Sequence, residues 1–186
     1  MIRTEVLGLA YGLSEIAMVA RKRSSRAKAR SHDAGTLRLV WFSIFVGFVA
    51  GGWISNSVVT GRFEPGVAQS AAVLALFLSG VALRWWAILV LGRFFTIDVA
   101  IHEGHELVTR GPYRFLRHPS YTGVLLVFLA LGLTWNHWLA LAALVAPVLA
   151  ALLVRIHIEE RALAEQFGDA WREHGARTWR LVPFVW

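Results

Sequence analysis

The sequence predicts an all-α integral membrane protein with about five transmembrane helices, a polar loop region on the cytoplasmic side and an amphipathic C-terminal helix. The chain has 186 residues, of which 56% are hydrophobic and only 17% are charged. Soluble domains average about 25% charged residues, so this composition is unusual for them. The apolar residues also come in long blocks, which is the pattern of membrane-spanning helices. Residues 1–186 are therefore treated as one membrane domain.

The first apolar block, Val6 to Ala20, is short and contains Glu15. At about 1.5 Å per residue it needs flanking residues to cross a hydrocarbon core of about 30 Å. Basic residues follow this block instead of preceding it, which argues against a cleaved signal peptide. It is therefore predicted as the first N-terminal span.

Four longer or more apolar blocks predict the remaining spans. In order, they cover residues 37–59, 67–91, 121–135 and 139–155. The last two form a hairpin around Asn136-His137, since only a few polar residues separate them. The segment from Ile158 to Trp186 is amphipathic, because its large apolar side chains recur at helical spacing. Residues 1–80 form an N-terminal part with the first spans, and residues 81–186 form a core.

Lysine and arginine are distributed unevenly around these spans. If the 21–38 loop lies in the cytoplasm, alternating helices bring 93–120 and 155–186 to the same side. That side then carries 16 of the 19 Lys and Arg residues. The positive-inside rule predicts that the N-terminus is outside and that the polar loops are cytoplasmic. The net charge of +7 is thus explained by anionic lipid headgroups, and no nucleic-acid partner is expected.

The connection HEGHELVTRGPYRFLRHPSYTG, residues 102–123, is rich in polar and turn-forming residues between apolar spans. Gly111-Pro112 predicts a turn, and Pro119 predicts that His118 is extended just before a helix begins. Backbone groups in such a loop can bind a ligand at the membrane surface. Taken singly, its arginines and tyrosines have simpler interpretations as residues that reach lipid headgroups.

Metal binding is not predicted for this connection. HEGH is one residue short of the H-E-x-x-H spacing that places two histidines on one helical face. The chain also has no cysteine, which excludes thiolate ligands, disulfides and cysteine nucleophiles.

Arg155 and Glu159 lie four positions apart and share a face of the helix that leaves the last span. The predicted hairpin returns this helix to the side of the polar connection. An arginine there can take an anion, while a glutamate can accept hydrogen bonds from an amine or a hydroxyl. Arg84, inside the third span, is interpreted as a side chain that snorkels to the cytoplasmic interface.

Three motifs occur in a fixed order: HELV (105–108) followed by GPY (111–113), then RHPSY (117–121), then Arg155 with Glu159-Glu160 ahead of Phe167-Gly168. In order and spacing they resemble the isoprenylcysteine carboxyl methyltransferase family of integral membrane methyltransferases, which is related to the phospholipid N-methyltransferases. The resemblance covers about residues 80–183. The stretch LRWWAILVLGRFF (83–95) also resembles the segment that precedes this core in bacterial members.

The resemblance implies a methyltransferase that uses S-adenosyl-L-methionine (SAM), with a catalytic core in 81–186 and a cytoplasmic cofactor-binding loop region. Arg155 and Glu159 are the implied catalytic residues, and Arg155 also contacts the substrate. Asp98 falls where relatives provide another polar cofactor contact, with a different residue type. The implied cofactor pocket consists of His105, Glu106, Leu107, Val108, Tyr113, His118, Pro119, Ser120, Tyr121 and Glu159.

The expected substrate is a lipophilic small molecule or lipid, reached at the cytoplasmic side of a bacterial inner membrane. A carboxylate acceptor is ionised at neutral pH and needs only a cation such as Arg155 to orient it. An amine or phenol acceptor needs a proton acceptor, for which Glu159, Glu160 or His118 would compete. The alanine- and arginine-rich composition is typical of bacteria, where protein prenylation is not expected, so a prenyl-cysteine substrate does not follow.

Two other functions remain open at this point. One is an NADPH-dependent membrane reductase of the sterol-reductase type, whose C-terminal region has a similar helix plan. The other is a non-enzymatic transport or scaffold protein whose polar loops only anchor headgroups. The oligomeric state is also open, since Gly47, Gly51 and Gly52 suit internal packing or dimer contacts equally well.

Overall fold

The computed structural model describes residues 3–22, 29–31, 35–95, 100–102 and 106–185. Two three-residue strands, β1 (Ala29–Ser31) and β2 (Ala100–His102), pair in antiparallel orientation. Short 3-10 turns cover Gly92–Phe94 and Gly111–Arg114. The α-helices are α1 (Thr4–Lys22), α2 (Thr36–Ser57), α3 (Val67–Leu91), α4 (Pro119–Leu133), α5 (Trp138–Phe167) and α6 (Asp169–Ala176).

The first five helices coincide with the five predicted apolar blocks. Three of them, α2, α3 with its following turn, and α5, are long and apolar enough to cross a membrane. Helix α4 is apolar but has only 15 residues, a length of about 22 Å at 1.5 Å per residue. The all-α integral membrane fold is confirmed, while a complete crossing by α1 and α4 stays a prediction.

The helices pack as two main pairs, α3 with α4 and α2 with α5, joined by contacts between α4 and α5. Phe128 of α4 lies in the core and meets the rings of Tyr11 and Phe48 at centroid distances of 6.3 and 6.2 Å. Large apolar side chains such as Trp41 and Trp53 remain 63% and 65% exposed on the outside of α2. An exposed aromatic surface of this kind suits contact with lipid.

Glycines allow the main helix pairs to approach closely. A Cβ atom added to Gly80 of α3 would lie 2.7 Å from the Gly123 carbonyl oxygen of α4, and one added to Gly123 would lie 2.6 Å from that of Gly80. On α2, a Cβ atom at Gly47 would lie 3.0 Å from the Leu144 carbonyl oxygen of α5. Gly51 likewise faces α5, whereas Gly52 has open space around it. The small residues Gly47 and Gly51 therefore serve packing within the chain.

The sequence predicted one amphipathic stretch at the C-terminus, whereas the structure divides this segment between two helices and a non-helical end. Helix α5 continues to Phe167 and ends at Gly168, whose φ of 53° favours glycine. Helix α6 then buries Trp171, which is 8% exposed. Residues 177–185 leave the helix and run back along the polar connection.

Candidate active site

The centre of the candidate site is a hydrogen-bonded chain of three side chains from α4 and α5. Arg155 Nε donates to the Tyr121 phenolic oxygen at 2.9 Å, and that hydroxyl donates to Glu159 Oε2 at 2.7 Å. Arg155 and Glu159 lie one turn apart on α5, as their spacing predicted. Arg155 is only 5% exposed, so these partners compensate for the loss of water around its charge.

Helix α2 also reaches this centre through its first residue. Arg155 Nη1 donates to Thr36 Oγ1 at 3.0 Å, and Thr36 is 3% exposed. Three helices therefore meet at the Arg155 guanidinium. Sequence reasoning missed Thr36, because 119 positions separate the two residues and no motif marks the threonine.

His118 lies beside the centre as the N-cap residue of α4. Helix α4 begins at Pro119 as predicted, but the φ of −126° and ψ of 56° of His118 lie outside the extended region, so the prediction that His118 is extended was wrong. The imidazole is buried and stacks on Tyr121 at a centroid distance of 5.6 Å. Its Nδ1 lies 3.8 Å from Glu159 Oε2, and its Nε2 lies 3.4 Å from Glu160 Oε1. Two carboxylates therefore flank the ring.

Glu160 is the centre of a second polar cluster on the far side of His118. Its carboxylate accepts from Arg117 Nη1 at 3.0 Å and from Arg180 Nε at 3.0 Å. Burial lowers the pKa of the Arg117 guanidinium, and the charge of Glu160 opposes that shift. The sequence predicted Glu160 only as a proton acceptor. In the structure its ion pairs with Arg117 and Arg180 join the polar connection to the C-terminal segment.

The segment Thr178–Leu181, here called the C-terminal strap, holds the backbone around His118. The Arg117 amide donates to the Trp179 carbonyl at 2.7 Å, and the His118 amide donates to the Arg180 carbonyl at 3.1 Å. The Trp179 amide donates to the Phe115 carbonyl at 3.0 Å. These hydrogen bonds fix the main chain just before α4 begins, so they also fix the direction of the His118 ring.

His174 of α6 faces this region as well. Burial lowers the pKa of His174, and the positive charge of the nearby Arg117 lowers it further. The imidazole lies 5.9 Å from the Trp171 ring. Its surroundings thus favour the neutral form.

The Gly111-Pro112 turn is confirmed, with Gly111 at a φ of 60° and Pro112 starting a 3-10 turn. An added Cβ at Gly111 would lie 2.9 Å from Val90 of α3, so the turn rests on that helix. The turn carries Tyr113, which is half-buried. Burial raises the pKa of Tyr113 above its usual range, and the charge of Glu159 adds to the rise. This phenol therefore keeps its proton and can donate a hydrogen bond.

The HELV motif contributes less to the described geometry. Leu107 and Val108 are half-buried, whereas the Glu106 side chain is 78% exposed and lies 3.9 Å from Arg93. Glu106 thus does not join the cluster around Glu159. His105 and Asp98 lie outside the described residues.

Arg84 does not snorkel, so that interpretation was wrong. Its Nε and Nη2 each donate to the Glu15 carboxylate at 2.6 Å, and its Nη1 donates to Ser120 Oγ at 2.8 Å. The Arg84 side chain is 15% exposed. Glu15 and Arg84 are the single charged residues of their apolar blocks, 6–20 and 67–91. That complementarity was the signal that could have predicted the pair.

A sequence model of the isoprenylcysteine carboxyl methyltransferase (ICMT) family matches residues 73–165, which is half of the chain. The chain belongs to this family. The match contains the GPY turn, the RHPSY motif and the Arg155–Glu159 pair. Family members thus share the part of the chain that forms the central cluster.

Relatives of this ICMT-family chain occur in plants and bacteria. Protein-S-isoprenylcysteine O-methyltransferase B of Arabidopsis thaliana is 35% identical over 129 residues, covering 66% of this chain and 66% of that protein. Uncharacterized protein YpbQ of Bacillus subtilis (strain 168) is 32% identical over 93 residues, covering 50% of this chain and 55% of that protein. The chain thus spans less than two thirds of the length of these relatives.

A solved structure confirms the fold of the ICMT-family chain. The structure of the eukaryotic intramembrane Ras methyltransferase ICMT matches with a TM-score of 0.65 at 23% sequence identity. The match covers 96% of this chain and 64% of that chain. The arrangement of helices is therefore shared well beyond the residues that match the family by sequence.

Proposed function

We propose that the chain is an integral membrane methyltransferase that uses SAM and methylates a carboxylate of a lipophilic small molecule or lipid. Family membership supports methyl transfer. Relatives named protein-S-isoprenylcysteine O-methyltransferases support an oxygen acceptor. The observation that carries the proposal is the buried Arg155 cation, joined through Tyr121 to Glu159 at the end of the apolar part of α5.

Arg155 has the chemistry that a carboxylate acceptor needs. A guanidinium can hold a carboxylate in a fixed plane through parallel N–H donors. Burial strengthens that attraction, because the surroundings of the 5% exposed side chain screen charge poorly. Thr36 and Tyr121 hold the guanidinium from two sides, so Arg155 orients the acceptor with little loss of side-chain entropy.

The acceptor needs no general base, since carboxyl groups are ionised at neutral pH. When bound, SAM supplies an electrophilic methyl group on its sulfonium, and S-adenosylhomocysteine is left once the methyl has moved to the acceptor oxygen. Catalysis then depends on alignment of the two reactants, which side chains locked by packing and hydrogen bonds favour. The products are a methyl ester and S-adenosylhomocysteine.

The donor set around Glu159 fits a polar cofactor that carries hydroxyl and ammonium groups. Glu159 can accept hydrogen bonds from such groups, as it does from Tyr121, and the protonated Tyr113 phenol can donate one. A carboxylate also suits the positive charge of a sulfonium compound. The cofactor pocket that we propose comprises His105, Glu106, Leu107, Val108, Tyr113, His118, Pro119, Ser120, Tyr121 and Glu159.

We place this site at the cytoplasmic face of the membrane on the strength of the Lys and Arg distribution, and the alanine- and arginine-rich composition supports a bacterial inner membrane. The soluble cofactor would then enter from the cytoplasm, while the substrate would arrive from the lipid. Family membership does not favour the NADPH-dependent reductase or the transport and scaffold functions.

The proposal is tested with protein in nanodiscs, SAM labelled on its methyl group, and lipophilic acids that include an S-isoprenylated cysteine and a fatty acid. Methyl esters release methanol in alkali, whereas N-methyl and S-methyl products do not. We expect alkali-labile label with wild type and a loss of at least about 100-fold in Arg155→Lys, because an ammonium cannot reproduce the planar pairing.

Calorimetric titration with S-adenosylhomocysteine accompanies the assay. Arg155→Lys should keep this binding, since the residue is assigned to the acceptor. Arg161→Ala, on the exposed side of the same helix, is the matched control and should behave as wild type. Label that is stable in alkali would refute the carboxylate acceptor. Wild type that binds NADPH but no adenosyl ligand would refute the methyltransferase.

A further inference from the structure

A largely buried ion pair between two apolar segments joins the first helix to the third. The Glu15 carboxylate of α1 and the Arg84 guanidinium of α3 make two hydrogen bonds of 2.6 Å in a fork-to-fork arrangement. Their side chains are 23% and 15% exposed. Next to this pair, Trp85 Nε1 donates to Ser14 Oγ at 2.7 Å, so α1 and α3 make two separate polar contacts.

The pair requires a reason, because charged side chains in a membrane-spanning helix are costly. Pairing and hydrogen bonding reduce that cost but seldom turn it into a net gain over apolar residues of similar size. Packing alone therefore does not account for Glu15 and Arg84. A third contact distinguishes them from a purely structural pair, since Arg84 Nη1 donates to Ser120 Oγ at 2.8 Å.

Ser120 is the second residue of α4, between the N-cap His118 and Tyr121. Helix α4 lies close enough for this contact because Gly123 leaves room. A Cβ atom there would be 2.9 Å from both the Cβ atom and the amide nitrogen of Arg84. The Arg84 charge also acts on Tyr113 of the GPY turn, where it opposes the rise in the pKa of the phenol. One guanidinium thus acts on both segments of the cofactor pocket.

We propose that Glu15 and Arg84 are positioning residues for the methyl-donor pocket, with Glu15 holding the guanidinium that orients Ser120 and the first turn of α4. Helix α1 is then a working part of the site, although it lies outside the residues 73–165 that match the family. This inference rests on the proposed function, since Ser120 is assigned to the cofactor pocket there.

The decisive variants separate the ion pair from the contact with Ser120. Glu15→Leu combined with Arg84→Met replaces the pair by apolar side chains, so no charge stays unpaired in the helical body. Arg84→Lys keeps a charge opposite Glu15 but cannot contact both Glu15 and Ser120 in the same geometry. Ser120→Ala removes only the hydroxyl that accepts the hydrogen bond from Arg84. Ser14→Ala is the matched control, because it breaks a separate polar contact between α1 and α3, the hydrogen bond from Trp85 Nε1.

The measurements are the KM of SAM, kcat, the Kd of S-adenosylhomocysteine and the apparent Tm in nanodiscs. For the double variant we expect a Tm within about 4 °C of wild type. We expect its KM and Kd to rise about tenfold, as the loss of a hydrogen bond to a charged group predicts, while kcat changes less than about threefold. Arg84→Lys and Ser120→Ala should raise both constants similarly, and their combination should raise them no further.

A double variant and an Arg84→Lys variant with wild-type KM and Kd would overturn the inference. An equal rise of KM and Kd in Ser14→Ala would also overturn it, because that rise would indicate a general weakening of the packing of α1 against α3. If the double variant fails to fold, additive effects of Arg84→Lys and Ser120→Ala would still overturn it. Wild type that binds no adenosyl ligand would instead refute the proposed function itself.

Discussion

Tyr121→Phe removes one oxygen atom from the centre of the site and leaves the ring in place. The oxygen of this hydroxyl accepts from Arg155 Nε at 2.9 Å, and its O–H group donates to Glu159 Oε2 at 2.7 Å. Hydrogen bonds to charged groups contribute about 1.5–3 kcal/mol each, so two independent bonds would amount to about 3–6 kcal/mol. Arg155 and Glu159 lie one turn apart and can pair directly once the phenol is gone, which recovers part of that energy.

We therefore expect a loss of about 2–3 kcal/mol in transition-state stabilisation, which is a decrease of about 30- to 160-fold in kcat/KM. The assay is methyl transfer to the best acceptor of the panel, with the apparent Tm measured in parallel. Folding should be largely retained, because the aromatic ring still stacks on His118.

A control for general loss of a hydrogen-bonded hydroxyl is Thr134→Val, at the half-buried C-cap residue that follows the opposite end of α4. Thr134 Oγ1 donates to the Leu131 carbonyl at 2.6 Å, and the length of α4 separates it from Tyr121. Thr134→Val should lower the Tm without lowering kcat/KM. A Tyr121→Phe protein that folds and keeps kcat/KM within about threefold of wild type would refute the role given to this hydroxyl.

Two further predictions concern packing and pH. Gly123→Leu should abolish folded protein in size-exclusion profiles, because its first added carbon alone would lie 2.6 Å from the Gly80 carbonyl oxygen and overpacking costs about 1–3 kcal/mol or more. Gly52→Leu is the control, because Gly52 has open space around it. Equal yields of the two folded variants would contradict the close packing of α3 and α4. The pKa of His174 is lowered in the folded chain, so the unfolded state binds the proton more readily. The contribution of neutral His174 to the stability of the fold is therefore complete above about pH 6.5, and it is lost as the pH falls through the folded pKa. The apparent Tm of wild type should therefore fall more steeply between about pH 7.5 and 5.5 than that of His174→Asn, and parallel curves for the two proteins would show that His174 is not responsible.

The sequence by itself determined the helices and several local features of the site. The predicted span 67–91 coincides with α3, and the predicted hairpin with α4 and α5, because an apolar block in a membrane must satisfy its backbone as a helix. The Gly111-Pro112 turn and the start of α4 at Pro119 were also predictable. Each of these depends on residues that are close together in the chain.

Only the tertiary structure decided which polar groups meet. Arg155 is paired with Thr36 across 119 positions, and Arg84 with Glu15 across 69. Arg84 was therefore misread as a snorkelling residue, and Glu160 was not recognised as the partner of Arg180. Hydropathy and spacing specify one face of one helix, and many packings satisfy the same pattern. The choice among them depends on close approaches such as that of Gly80 to Gly123, which exist only when both helices are in place.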